Sequence, residues 1–161
     1  MSKPISIIMG SQSDLETVQE AINVLKEFKV GFEAKVLSAH RTPKELAKYV
    51  ESAPLKGTKV FIAAAGGAAA LAGVIASHTI LPVIGIPIET KSLKGLDSLL
   101  STAQMPAGIP VATVAIGKSG AKNAALLALE ILAVSDKKIQ AKLRKYKTQM
   151  CDKIKGIKLK V

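Results

Sequence analysis

The chain has 161 residues, 48% of them apolar, with a mean hydropathy of +0.31; that suffices for a domain with a real core and excludes a disordered chain. Of the formal net charge of +11, most falls in residues 135–161, where ten Lys or Arg face two Asp, so the body is only mildly basic and suits a phosphorylated small molecule. Aromatics at 3%, with no Trp, leave little for bases to stack on, and nucleic acid is not an expected partner.

The apolar segment after Met1 is too short for a signal peptide or a membrane span, so a cytoplasmic protein without membrane contact is expected. Residues 4–9 (PISIIM) read as a buried strand. The loop after it is Gly10-Ser11-Gln12-Ser13-Asp14, and a helix over 15–28 follows, with Leu15, Val18, Ile22, Leu25 and Phe28 at helical spacing. Ser13 with Glu16 reads as an S-x-x-E capping box, while Ser11 and Asp14 are left to hold a phosphate and a ribose diol. The loop is neither a Walker loop nor G-x-G-x-x-G, and it reads as well as a helix cap as a ligand site.

A second strand over 32–37 leads into Ser38-Ala39-His40-Arg41-Thr42-Pro43 and a helix over 42–52. Thr42 with Glu45 reads as a second capping box, and Pro43 falls at the first helical position. That leaves Ser38, His40 and Arg41 on the loop: a hydroxyl, a group that exchanges protons near neutral pH, and a planar phosphate fork. A third strand over 59–64 runs into Gly66-Gly67-Ala68-Ala69-Ala70-Leu71, bare backbone suited to donating amides to a carboxylate or to tight helix–sheet packing. An Ala-rich helix toward His78, strands over 82–88 and 111–116, a helix over 119–134 and a basic helix from Asp136 complete the chain.

Alternating strands and helices at this spacing predict an α/β fold, a three-layer α/β/α sandwich with a flavodoxin-like or Rossmann-like parallel sheet and a C-terminal helix. The whole chain, 1–161, is read as one domain, with a core over about 4–134 and a basic helix and tail over about 136–161. In such sheets ligands lie beyond the carboxyl ends of the strands, where all three loops fall. No metal cluster or nucleophilic triad is visible. Lone Cys151 supports no disulfide framework, and neither it nor His78 is given a role. The many small apolar residues point to surface buried against other copies of the chain.

These residues closely resemble the class I N5-carboxyaminoimidazole ribonucleotide mutases of bacterial purine biosynthesis. The resemblance rests on Met9-Gly10-Ser11-x-Ser13-Asp14, Ser38-Ala39-His40-Arg41-Thr42-Pro43 and Gly66-Gly67-Ala68-Ala69, then on Asp97-Ser98-Leu99, Gln104-Met105-Pro106-x-Gly108-Ile109-Pro110, Ala115-Ile116-Gly117-Lys118 and Asn123-Ala124-Ala125-Leu126-Leu127. It implies an isomerase that moves a carboxylate from N5 to C4 of the ribonucleotide without ATP, metal or cofactor, in a homo-octamer. His40 would be the general acid/base; Ser11, Ser13, Asp14, Ser38, Arg41, Gly66, Gly67, Ala68, Ala70 and Leu71 would bind substrate. Ser11, Ser38 and Arg41 would take the phosphate, Asp14 the ribose hydroxyls, and the Gly66-Gly67 loop the carboxylate or CO₂. Gln104-Met105-Pro106 is the candidate closing segment.

One segment departs from the pattern: Ala70 and Ala72 stand where the family usually has His and Pro. Ala70-Leu71-Ala72-Gly73 resembles instead the related enzymes that carboxylate aminoimidazole ribonucleotide directly with CO₂, whereas Arg41-Thr42-Pro43 and Gly66-Gly67 resemble the mutases. Direct carboxylation is therefore the alternative activity. A non-catalytic phosphometabolite-binding module is the alternative from another class, and His40, which pure binding does not need, argues against it.

Overall fold

The computed structural model describes residues 3–158, which divide into two compact units on either side of the Ala128–Leu129 boundary. The first holds a five-stranded, all-parallel sheet: β1 (Ile5–Met9), β2 (Phe32–Val36), β3 (Val60–Ala65), β4 (Val83–Pro87) and β5 (Ala112–Thr113), in the order β2-β1-β3-β4-β5. This is the flavodoxin-like arrangement expected from the alternation, and its strand order reverses between β1 and β3.

The helices are α1 (Leu15–Glu27), α2 (Pro43–Ser52), α3 (Leu71–Ser77), α4 (Leu96–Ala103), α5 (Gly117–Ala133) and α6 (Lys137–Lys155). β1, β3 and β4 are buried almost throughout, as parallel strands covered on both faces must be. Ile8, Phe61, Ala63 and Val83 pack with Leu46 and Val50 of α2 and Leu71, Ala72 and Ile75 of α3. The register puts Ile7, Ile62 and Ile84 in one row across the sheet, and residues alternate faces along a strand, so this row faces away from α2 and α3. Lys118–Glu16 and Lys122–Glu20 ion pairs, at 2.8 and 3.2 Å, join the start of α5 to α1.

Two elements differ from the sequence reading. β5 covers two residues rather than 111–116. After Val114 N donates to Gly85 O at 3.1 Å, the next bond of a parallel ladder would run from the residue 87 amide to the Val114 carbonyl. Pro87 has no N–H to give, and the ladder stops. The other difference is α4, a helix in a stretch where the sequence pattern predicts none. It sits close to β4 because Gly85 has no side chain: a Cβ there would strike Thr102 Cγ2 and lie 3.1 Å from Val111 Cγ1.

The second unit comprises the end of α5 from Leu129 and α6. The Asp136 carboxylate caps α6 by accepting from the Lys138 and Ile139 amides at 2.8 and 3.1 Å, and Lys147 pairs with Glu130 at 3.0 Å. Ile139 and Leu143 are buried, whereas Met150, Ile154 and Ile157, further along the same apolar stripe, are exposed. No helix among the described residues is long and apolar enough to cross a membrane.

Candidate active site

The loops after β1, β2, β3 and β4 line one cleft of about 570 Å³ at the carboxyl edge of the sheet, beside the β1/β3 reversal. That volume lies in the usual range for a small-molecule site. The loops are tied to one another: Gly10 N donates to Ala64 O at 3.0 Å, Leu37 N to Met9 O at 2.9 Å, and Arg41 Nη2 to Gly10 O at 2.8 Å.

After β1 the chain turns through a short 3₁₀ segment, Gln12–Asp14, before α1. The capping box here is Ser11 with Asp14, not Ser13 with Glu16. Ser11 Oγ accepts from the Ser13 amide at 3.3 Å, and Asp14 Oδ2 accepts from the Ser11 amide at 3.0 Å. The 3₁₀ turn moves the true cap two residues upstream, which frees Glu16 to pair with Lys118. Ser13 Oγ donates to Ser11 Oγ at 2.9 Å and to Asp14 Oδ1 at 3.4 Å. Asp14 is only 7% exposed, and its burial pushes the carboxyl above the usual carboxylate range, against the opposing pull of the Ser11 amide, the Ser13 hydroxyl and the Arg41 charge.

After β2, the second expected capping box is also absent. Thr42 Oγ1 instead brackets Ser38, accepting from its amide at 2.8 Å and donating to its carbonyl at 3.1 Å, and α2 starts at Pro43. Ser38 Oγ in turn accepts from Arg41 N at 3.2 Å and Arg41 Nε at 3.4 Å. The bracket makes a rigid turn with His40 and Arg41 exposed at its tip. The His40 imidazole lines the cleft and makes no hydrogen bond among the described residues, so neither ring nitrogen is engaged. Arg41 is held at one Nη and at Nε, which leaves its remaining donors for an anion.

After β3, Gly66, Ala68, Ala70 and Leu71 line the cleft, but Gly67 does not. Its φ of +67° turns the backbone away, and its amide donates to Ser98 Oγ of α4 at 2.9 Å. Ala69 N and Ala70 N close on Gly67 O and Ala68 O at 2.8 and 2.7 Å. The amides of Gly66 and Ala68 make no hydrogen bond among the described residues and are the loop's available donors. Ala70, at the start of α3, puts a methyl group on the cleft wall.

The fourth wall, Ile88-Glu89-Thr90, lies outside the three loops expected from the sequence. The carboxyl-edge rule that selected the first three loops applies equally after β4, and a Glu-Thr pair there was the available signal. Gln104-Met105-Pro106 does not line this cleft; Met105 Sδ lies beside Gly73 of α3. Among the described residues no group of three or more His, Cys, Asp or Glu gathers as a metal site.

The cleft thus combines anion donors, a buried carboxylate, one imidazole and free amides, which suits a phosphorylated sugar bearing a group that gains and loses a proton. Residues 4–153 match the AIR carboxylase family. Across 146 residues, 91% of this chain and 83% of the other, the chain is 58% identical to the N5-carboxyaminoimidazole ribonucleotide mutase of Pyrococcus abyssi. It is 54% identical over 143 residues to the mutase of Bacillus subtilis, covering 89% of this chain and 88% of that one. A crystal structure of Treponema denticola PurE superimposes with a TM-score of 0.85 at 30% identity, covering 93% of this chain and 92% of that one. With a family match over nearly its whole length, the chain belongs to the AIR carboxylase family.

Proposed function

We propose that the chain is an N5-carboxyaminoimidazole ribonucleotide mutase of purine biosynthesis, an isomerase that moves the substrate carboxylate from N5 to C4. The observation that carries the reading is a single unengaged imidazole, His40, in a cleft that also holds Arg41, Ser11, Ser38 and Asp14. The mutase names of the relatives at 58% and 54% identity support this branch over direct carboxylation.

The phosphate binds Arg41 with the hydroxyls of Ser11 and Ser38, and the ribose hydroxyls bind Asp14, assisted by Ser13. The carboxylate lies against the free amides of Gly66 and Ala68, with Ala70 and Leu71 as the apolar wall. The N5–carboxylate bond breaks with its electrons passing to N5, and protonated His40 delivers a proton there as CO₂ forms. C4 then attacks CO₂, and neutral His40 removes the C4 proton, restoring the ring and its own starting state. One proton is given and one taken, so one base serves both steps and the reading calls for no cofactor or metal. The loops around the cleft keep CO₂ in place between the two.

The same reading includes a cytoplasmic location and assembly into a homo-octamer; exposed Ile80 in the first unit and the Met150-Ile154-Ile157 stripe in the second support burial against further copies.

The test follows the C4-carboxylated product by absorbance without ATP, from the N5-carboxylated substrate or from aminoimidazole ribonucleotide with bicarbonate. Wild type is expected to turn over the first, and His40→Asn to lose that turnover by at least about 10²-fold, the scale of general acid–base catalysis. Turnover of the second substrate alone assigns the direct carboxylase, and an active His40→Asn refutes the mechanism.

A further inference from the structure

We propose that Ser98 is a positioning residue for this reaction: its buried hydroxyl sets the depth of the Gly66-Gly67 loop, and so where the loop's free amides meet the migrating carboxylate. The proposal rests on the mutase reading.

Ser98 lies in the first turn of α4 with no solvent exposure. Its hydroxyl donates to Ile88 O at 2.7 Å and accepts from Gly67 N at 2.9 Å. A hydroxyl has one proton, so with that proton on Ile88 its role toward Gly67 is fixed as acceptor. One atom therefore joins the loop after β3 to the segment after β4, and both flank the cleft. Gly67 N is consumed in this bond, which leaves Gly66 and Ala68 as the donors that reach a ligand. Their direction depends on where Gly67 is pinned.

Packing holds the loop on either side, where Ala69 is buried and a Gly66 Cβ would lie 3.5 Å from Ile88 Cβ, but not at Gly67 itself. No atom lies within 4 Å of where a Gly67 Cβ would be, so its place depends on the Ser98 bond. A second tie, Ser101 Oγ to Gly67 O, is long at 3.4 Å, and that hydroxyl also donates to Asp97 O at 2.8 Å. The same helical turn braces the neighbouring wall, where Thr90 Oγ1 donates to Asp97 Oδ1 at 2.8 Å. The start of α4 thus holds both walls that enclose the carboxylate end, while phosphate and ribose are held by the loops after β1 and β2.

This division predicts a split in the kinetics. In Ser98→Ala the substrate still anchors through its phosphate, so KM changes by no more than about threefold, while misplaced amides lower kcat by about 10- to 100-fold. CO₂ is then held less well between the two steps, and the variant releases more aminoimidazole ribonucleotide per product than wild type. That partition ratio responds to the carboxylate pocket and not to general loss of folded protein. Ser98→Thr, which keeps the hydroxyl, is expected to restore the wild-type ratio, and Ser98→Cys, a weak donor, to fall between. Should Ser98→Ala fold poorly by circular dichroism, Ser98→Cys carries the test. A variant with the weakened or missing bond that keeps wild-type kcat and partition overturns the proposal. Wild type that does not turn over the N5-carboxylated substrate overturns instead the reading on which it rests.

Discussion

In the proposed mutase Asp14 is both a nearly buried helix cap and the ligand of the ribose hydroxyls, and Asp14→Asn separates the two. The carboxyl is nearly buried, and burial raises its pKa in the folded state. Between the ordinary carboxylate value and that raised value the folded protein binds more protons than the unfolded one. Its stability therefore falls as pH rises through the window, and the cost is fully present above it. Asparagine removes this cost while keeping an oxygen to accept from the Ser11 amide, now at 3.0 Å. The variant is expected to melt at the same temperature as wild type or higher at pH 7, with the difference closing as pH falls below the carboxylate range. Against the substrate the sign reverses. A hydrogen bond to a charged group contributes about 1.5–3 kcal/mol and a neutral one about 0.5–1.5, a loss of about 1–1.5 kcal/mol per ribose hydroxyl. At 1.4 kcal/mol per decade, KM rises about 5- to 10-fold for one hydroxyl and about 25- to 100-fold for two. Initial rates against substrate concentration, with thermal melts by circular dichroism across pH 3–8, measure both. Unchanged KM together with a lower melting temperature would show that Asp14 is a helix cap and nothing more.

Two further changes test other parts of the account. Arg41→Lys cannot both reach Gly10 O and Ser38 Oγ and present a fork to phosphate; KM is expected to rise about 10- to 100-fold, the range of a lost charged hydrogen bond, and an unchanged KM removes Arg41 from the phosphate site. Gly85→Ala drives a methyl into Thr102 Cγ2 and is expected to cost about 1–3 kcal/mol by overpacking, read in a urea melt. Thr102→Ser in that background removes the opposing methyl, keeps the hydroxyl bonded to Ser98 O, and is expected to recover most of the loss.

Much of the first unit is legible along the chain because its causes are local. Continuous apolar runs specify strands buried on both faces, helical spacing in 15–28 specifies α1, and Pro43 marks the start of α2. Strand-helix alternation implies the parallel sheet, and the carboxyl-edge rule then brings Ser11, His40, Arg41 and Gly66 to one cleft. The departures arise where a contact distant in sequence decides. An S-x-x-E pattern at Ser13 looks complete by itself, but the 3₁₀ turn after β1 hands the cap to Ser11 and Asp14. β5 ends early because Pro87, on a neighbouring strand, withholds a donor.

Gly67 reads in sequence as one more amide facing the ligand. Only the packing of α4 against β4, made possible by a missing side chain at Gly85, brings Ser98 close enough to take that amide away. Local pattern therefore specifies which residues reach the site, since periodicity and turn chemistry act over a few residues. Which of their atoms are left over for substrate depends on hydrogen bonds closed between elements 31 residues apart, and those exist only once the sheet and α4 have packed.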